Sequence, residues 1–188
     1  GYDAGKKIKG KKRHILVDTQ GLVMHGLVHA ADVHDSEGGA WLMATLFGAK
    51  YVEVPDPGFI HDVDAMADAI TEDTRLVFIA NPNNPTGTMV NQQTIDRFMD
   101  RLPEHVIAVF DEAYIEFPDS PPDTLRYVRE GRNVCVLRTF SKLHGLAGLR
   151  VGYGLAPAHL AALLQKARQP FNVNAIAQAG ALAALTDT

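Results

Sequence analysis

Leu76-Val-Phe-Ile-Ala-Asn-Pro-Asn-Asn-Pro-Thr-Gly87 is the stretch on which the fold turns. Leu76 to Ala80 is apolar without a break. That is the pattern of a short strand buried on both faces of a parallel sheet, not of one that alternates between core and water. Asn81 to Gly87 cannot prolong the strand, because proline removes a ladder donor and Asn and Gly favour turns. Taken alone, this segment reads equally well as a plain surface turn or as a functional loop.

Working outward, strands and helices alternate. Asn91 is placed to cap a helix whose apolar face is Ile95, Phe98, Met99 and Leu102. Val106 to Phe110 and Val134 to Leu137 repeat the buried-strand pattern, and Val151 to Ala156 offers a further strand. Leu160, Leu163, Leu164 and Ala167 form a last helical face that Pro170 stops. Upstream, Val63, Met66, Ala67 and Ile70 recur at helical spacing, and Tyr51 to Val54 reads as a short strand ending at Pro55. Such alternation predicts an α/β fold: a mostly parallel, doubly wound sheet with helices on both faces.

In sheets of this kind ligands bind beyond the carboxyl ends of the strands. Three polar clusters fall there: Asn81 to Gly87, Asp111-Glu-Ala-Tyr114, and Thr139-Phe-Ser-Lys142. Each has a plain reading, since Asp-Glu can solvate a strand end or cap a helix and a Ser-Lys pair is common on surfaces. Together they place an acid, an amide, a phenol, hydroxyls and a lysine around one crevice. That inventory suits pyridoxal 5′-phosphate (PLP) chemistry. A lysine must hold the aldehyde as a Schiff base and later act as a base. A carboxylate must keep the pyridine nitrogen protonated. Hydroxyls and an arginine must hold the phosphate. Arg150 lies eight residues after Lys142, across Gly145-Leu-Ala-Gly148.

Five stretches carry a family resemblance: Asn81 to Gly87, Val109-Phe-Asp-Glu-Ala-Tyr114, Arg138 to Lys142, Gly145-Leu-Ala-Gly-Leu-Arg-Val-Gly152, and Arg168-Gln-Pro-Phe-Asn-Val-Asn174. On these, residues 49–188 resemble part of the large domain of fold-type-I PLP-dependent aminotransferases, of the histidinol-phosphate kind. The resemblance implies that Lys142 is the Schiff-base lysine and that Asp111 pairs with the pyridinium nitrogen. Asn84 and Tyr114 would hydrogen-bond the phenolic oxygen, while Thr139, Ser141 and Arg150 would bind the phosphate. Lys142, Asp111 and Tyr114 would be the catalytic set. The implied reaction is a ping-pong exchange between an amino donor and a 2-oxo acid, with 2-oxoglutarate as the usual acceptor, in a homodimer when complete. Phosphothreonine decarboxylases and aromatic aminotransferases are the alternatives within the family. The family's glycine-rich phosphate loop has no match in residues 1–50, and its small domain is expected beyond residue 188. Residues 1–188 alone are therefore expected to transaminate far more slowly than a complete member.

The first segment differs. Ile15-Leu16-Val17 reads as a strand, Thr19-Gln20-Gly21 as a turn, and Leu22 to Val28 as a returning strand, followed by the polar stretch Asp32 to Gly39. Gly1 to Leu22, with His29-Ala-Ala-Asp-Val-His-Asp35, resembles insertion-sequence transposases with a DDE core over residues 1–48. The resemblance places that family's catalytic acids outside this stretch, so Asp18 and Asp32 are not expected to bind metal. His25, His29, Asp32, His34 and Asp35 lack tight ligand spacing, and no metal site is expected. The expected organisation is a β-rich transposase-like fragment, 1–48, fused to an incomplete aminotransferase large domain, 49–188.

Composition bounds the rest. Residues 1–50 carry a net charge of +2 and residues 51–188 a net of −6. The basic run Lys6 to Arg13 could touch nucleic-acid phosphates weakly and without sequence preference, or serve as a solvated arm. No apolar run is long enough to span a bilayer. Cys135, the single cysteine, excludes an internal disulfide and, inside an apolar run, reads as a buried structural thiol. These features favour the cytoplasm. An opening Gly1 in place of Met fits a partial reading frame or a processed product.

Overall fold

The computed structural model describes residues 2–3, 8–9, 11–17, 23–30, 48–168 and 170–187, with side chains from residue 48 onward. The chain divides into two compact units, Gly1–Glu53 and Val54–Thr188. In the first, β1 (Tyr2–Asp3) pairs antiparallel with β2 (Ile8–Lys9), and β3 (Lys11–Val17) with β4 (Val23–Ala30). The hairpin expected from the sequence is therefore present, with longer strands. Its turn at residues 19–21, the polar stretch 32–39, and Asp32, His34 and Asp35 lie outside the described residues.

The second unit is built on a four-stranded sheet ordered β5-β6-β7-β8: Leu76–Ala80, Ile107–Asp111, Val134–Thr139 and Gly152–Leu155. β5, β6 and β7 are mutually parallel, and β8 runs antiparallel to β7. The reversal has a simple cause. A parallel return needs a crossover over one face, usually a helix. The link from β7 to β8 holds only the single 3₁₀ turn Ala147–Leu149, so the chain comes back alongside the strand it left. Gly152 permits this approach, because a Cβ there would stand 2.7 Å from the Arg138 carbonyl oxygen.

Helices α1 (Val63–Asp68), α2 (Gln92–Arg101) and α3 (Leu125–Arg129) share one core with the sheet. Asn91 caps α2 as its position predicts, its side chain accepting from the Thr94 N–H at 3.0 Å. Ile95, Phe98 and Met99 of that helix pack with Val77, Ile79, Ala108, Phe110, Val134 and Val136. Strand side chains alternate, and the other face of β5 differs from the sequence expectation. Leu76 and Phe78 are 50% and 62% exposed, so β5 is not buried on both faces. It is the end strand of its sheet, and no described segment covers that face.

Tyr51 to Val54 is not a strand. Its residues suit a sheet, but a strand exists only through a ladder, and this segment pairs with no described strand. Two further helices complete the unit. α4 (Ala158–Ala167) follows the expected pattern, although Leu163 and Leu164 are exposed. α5 (Ala175–Thr186), which the sequence pattern did not predict, is capped by Asn174 and packs Ala177 and Ala181 with Phe140 and Val151.

This one-sided packing gives a test. Phe110→Ala, at a site with no exposure, should cost about 3–5 kcal/mol in urea unfolding. Phe78→Thr should change stability by less than about 1 kcal/mol. Equal losses would mean that both faces of β5 are packed.

Candidate active site

The first cluster is held by a buried amide. Asn81 continues the ladder beyond β5, its N–H donating to the Asp111 carbonyl at 2.9 Å. Its side chain donates to the Val90 carbonyl at 3.0 Å and accepts from the Val90 N–H at 2.7 Å. One side chain thus fastens both ends of loop 82–90. Gly87, at φ 70°, takes the left-handed conformation that lets this loop close without a Cβ penalty. Asn84 is presented on its exposed part, and its Nδ2 donates to the Tyr114 hydroxyl at 3.4 Å.

Asp111 ends β6 and is exposed, with Oδ1 accepting from the Ala113 N–H at 3.2 Å. Beyond it stands Tyr114. The Lys142 ammonium lies 4.7 Å from the centre of its ring, a distance at which the ring face attracts a cation. Thr139 ends β7, and its hydroxyl accepts from the Ser141 N–H at 3.1 Å. Between them Phe140 is buried, donating from its N–H to the Val151 carbonyl at 3.2 Å.

Asn84, Tyr114 and Lys142 are therefore brought together from three separate strand ends. Asp111 and Thr139 stand close by in register, since Asp111 pairs with Leu137 in the ladder. Arg150 comes near along the backbone, because Gly152 pairs with Thr139. Its guanidinium, however, donates to the Ala147 carbonyl at 2.8 Å, and among the described hydrogen bonds it meets neither Thr139 nor Ser141. The set can offer an amine, a carboxylate, a phenol with an amide, and hydroxyl and guanidinium donors for an anion. Among the described residues no group of His, Cys, Asp and Glu could hold a metal ion.

One feature of the site is not legible in the sequence. Glu112, which the sequence suggests would solvate the strand end or cap a helix, is fully buried. Its Oε2 accepts from Arg138 Nε at 2.9 Å and Nη2 at 2.8 Å, and its Oε1 accepts from the buried Thr124 hydroxyl. Alternation places Glu112 and Arg138 on the sheet face opposite to Asp111 and Thr139, but it does not show that the two meet. Burial pushes the Glu112 carboxyl above the ordinary carboxylate range, against the opposing pull of Thr124 and Arg138. Burial likewise raises the Cys135 thiol, which agrees with a structural thiol.

Known proteins resemble both parts of the chain. The model of the aminotransferase class I and II family matches residues 42–188, and that of the transposase DDE domain matches residues 1–69. A histidinol-phosphate aminotransferase of Akkermansia muciniphila is 64% identical over 147 residues, covering 78% of this chain and 40% of that protein. An aromatic amino acid aminotransferase of Streptomyces coelicolor is 54% identical, covering 77% and 41%. The crystal structure of a histidinol-phosphate aminotransferase from Sinorhizobium meliloti in complex with pyridoxal-5′-phosphate superposes with a TM-score of 0.71 at 37% identity, covering 77% of this chain and 40% of that one. The chain thus spans about 40% of the length of the curated relatives it matches.

The Glu112 carboxyl makes a prediction with a definite sign. Its value in the folded chain lies above the unfolded one, so the folded state holds the extra proton. The resulting stability is present below the ordinary glutamate pKa of about 4.3 and is lost as pH rises through the raised value. Glu112→Gln should remove this fall from a plot of urea midpoint against pH. A variant curve parallel to that of the native chain would refute the assignment.

Proposed function

Because the chain belongs to the class I and II aminotransferase family, matched over residues 42–188, we propose that its second unit forms the lysine-bearing side of a pyridoxal 5′-phosphate site. The reaction it serves is transamination of histidinol phosphate with 2-oxoglutarate as acceptor. The carrying observation is the meeting of Asn84, Tyr114 and Lys142, at 3.4 and 4.7 Å, beside the strand end that bears Asp111.

The donor set fits the cofactor. Lys142 would hold its aldehyde carbon, Asp111 its ring nitrogen, and Asn84 with Tyr114 its phenolic oxygen. Thr139, Ser141 and Arg150 would hold its phosphate. When bound, the cofactor supplies an electron-withdrawing ring that takes up the electron pair left when the substrate's α-carbon loses a proton. The other roles fall to this chain. The Asp111 carboxylate, fixed by the Ala113 N–H, keeps a proton at the ring nitrogen. Lys142, as the amine, would take the α-proton and deliver it to the carbon of the former aldehyde, which a transfer of the amino group requires. Tyr114 and Asn84 then provide donors to a phenolate oxygen, and the two hydroxyls and Arg150 meet a dianion.

Histidinol phosphate is preferred because the 64%-identical relative carries that name. Aromatic amino acids are the second reading, favoured by the relative from Streptomyces coelicolor. The remaining parts of the proposal are a domain division at 48/49, a homodimeric assembly and a cytoplasmic location. No helix among the described residues is long and apolar enough to cross a membrane. For the first segment, the transposase DDE match and the basic run Lys6 to Arg13 support weak, sequence-independent contact with duplex DNA.

Two experiments test these roles. Incubating the chain with PLP, reducing with borohydride and mapping by mass spectrometry should place the adduct on Lys142, and Lys142→Ala should lose it. An adduct spread evenly over all lysines would refute the site. In fluorescence anisotropy, binding to duplex DNA should be independent of sequence and should vanish as salt is added, because released counterions drive it. Sequence-selective binding that resists salt would contradict this reading.

A further inference from the structure

We infer that Glu112 and Arg138 are positioning residues, whose ion pair, with its carboxylate buried, fixes the ends of β6 and β7 so that Asp111 and Lys142 face one ligand. The inference rests on the proposed role of Lys142. Its first support is placement. Glu112 directly follows Asp111, and Arg138 directly precedes Thr139. Neighbours on an extended chain point to opposite sides, so the pair sits behind the site while the ligand-facing residues stand in front.

The second support is how fully the pair is engaged. Two guanidinium nitrogens converge on Oε2 of Glu112, and Thr124, the residue before α3, takes Oε1. The Glu112 N–H also donates to the Leu137 carbonyl at 2.9 Å. β6, β7 and the start of α3 are thereby tied at one point. From there the chain needs only four residues to reach Lys142, and Phe140 anchors it again midway.

The third support is energetic. An ion pair with a buried carboxylate offers little net stability over apolar side chains of similar volume, because the carboxylate loses its hydration. Stability alone therefore does not account for a charged pair here, where the Glu112 side chain is 1% exposed. A fixed direction between two strand ends does account for it, since charge-assisted bonds to a planar guanidinium constrain geometry as well as distance.

The test uses the full chain with Glu112→Gln, which keeps the shape and removes the charge, and with Arg138→Lys, which keeps the charge and removes the fork. Each protein is incubated with PLP and reduced with borohydride. The adduct on Lys142 is then compared with that on Lys50 and Lys166, both exposed in the same molecule. Far-UV circular dichroism and urea unfolding establish which variants are folded. In the native chain Lys142 should be strongly preferred. In the folded variants the preference should fall by about tenfold, the scale of one lost hydrogen bond to a charged group. Loss of stability alone would not move this ratio within folded molecules. Folded variants with an unchanged ratio would overturn the inference. So would failure of both variants to fold, which would make the pair a requirement of folding and not of positioning. A native chain with no preference for Lys142 would overturn it together with the functional reading beneath it, and the native arm alone separates that failure from the others.

Discussion

Parallel strands have all their carboxyl ends on one edge of a sheet, and the meeting of Asn84, Asp111, Tyr114 and Lys142 depends on that constraint. Ala80 lies opposite Asp111, and Asp111 opposite Leu137. The loops leaving β5, β6 and β7 must therefore start side by side, although their residues are far apart in the chain. A slip of one residue would turn every side chain of a strand to the other face. The register is held by the core residues Ile79, Phe110 and Val136, all without solvent exposure.

Polar groups at this edge do structural work that the apolar core cannot do. Asn81 closes its loop by making both of its amide bonds to one residue, Val90. Glu112 joins two strand ends and a helix start through Arg138 and Thr124. Hydrophobic contact is non-directional, whereas these bonds have direction. A site whose ligand contacts must be fixed in angle needs such groups just behind it, where the strands stop and the ladder no longer aligns the backbone.

The first part of the chain bears on where one unit gives way to the next. The aminotransferase match begins at residue 42 and the transposase match runs to residue 69, so residues 42–69 lie within both. The compact units divide between Glu53 and Val54. Packing speaks for the later residues of the overlap. Val63 of α1 is buried in the same core as Ile79 and Phe110, and Met66 and Ala67 pack against that core. Helix α1 is thus part of the α/β unit.

Strand and helix periods, turn residues and the polar clusters are local properties of the chain, and they determined the α/β class, β5 through β7 and the capping of α2 by Asn91, while the family resemblance of those clusters singled out Asn84, Asp111, Tyr114, Thr139, Ser141, Lys142 and Arg150. Tertiary structure decided what depends on partners. Tyr51 to Val54 has the composition of a strand but no described ladder to join. Leu76 and Phe78 are as apolar as Val77 and Ile79, yet they are exposed because covering a face is a matter of what packs on it. The direction of β8 followed from a link too lacking in helix to cross the sheet. Helix α5 escaped notice because its sequence is apolar on every side and so has no periodic signal. The burial of Glu112 could not be read either: the same acid beside a strand end is solvated or buried according to whether an arginine from another strand stands opposite, and only the fold brings Arg138 there.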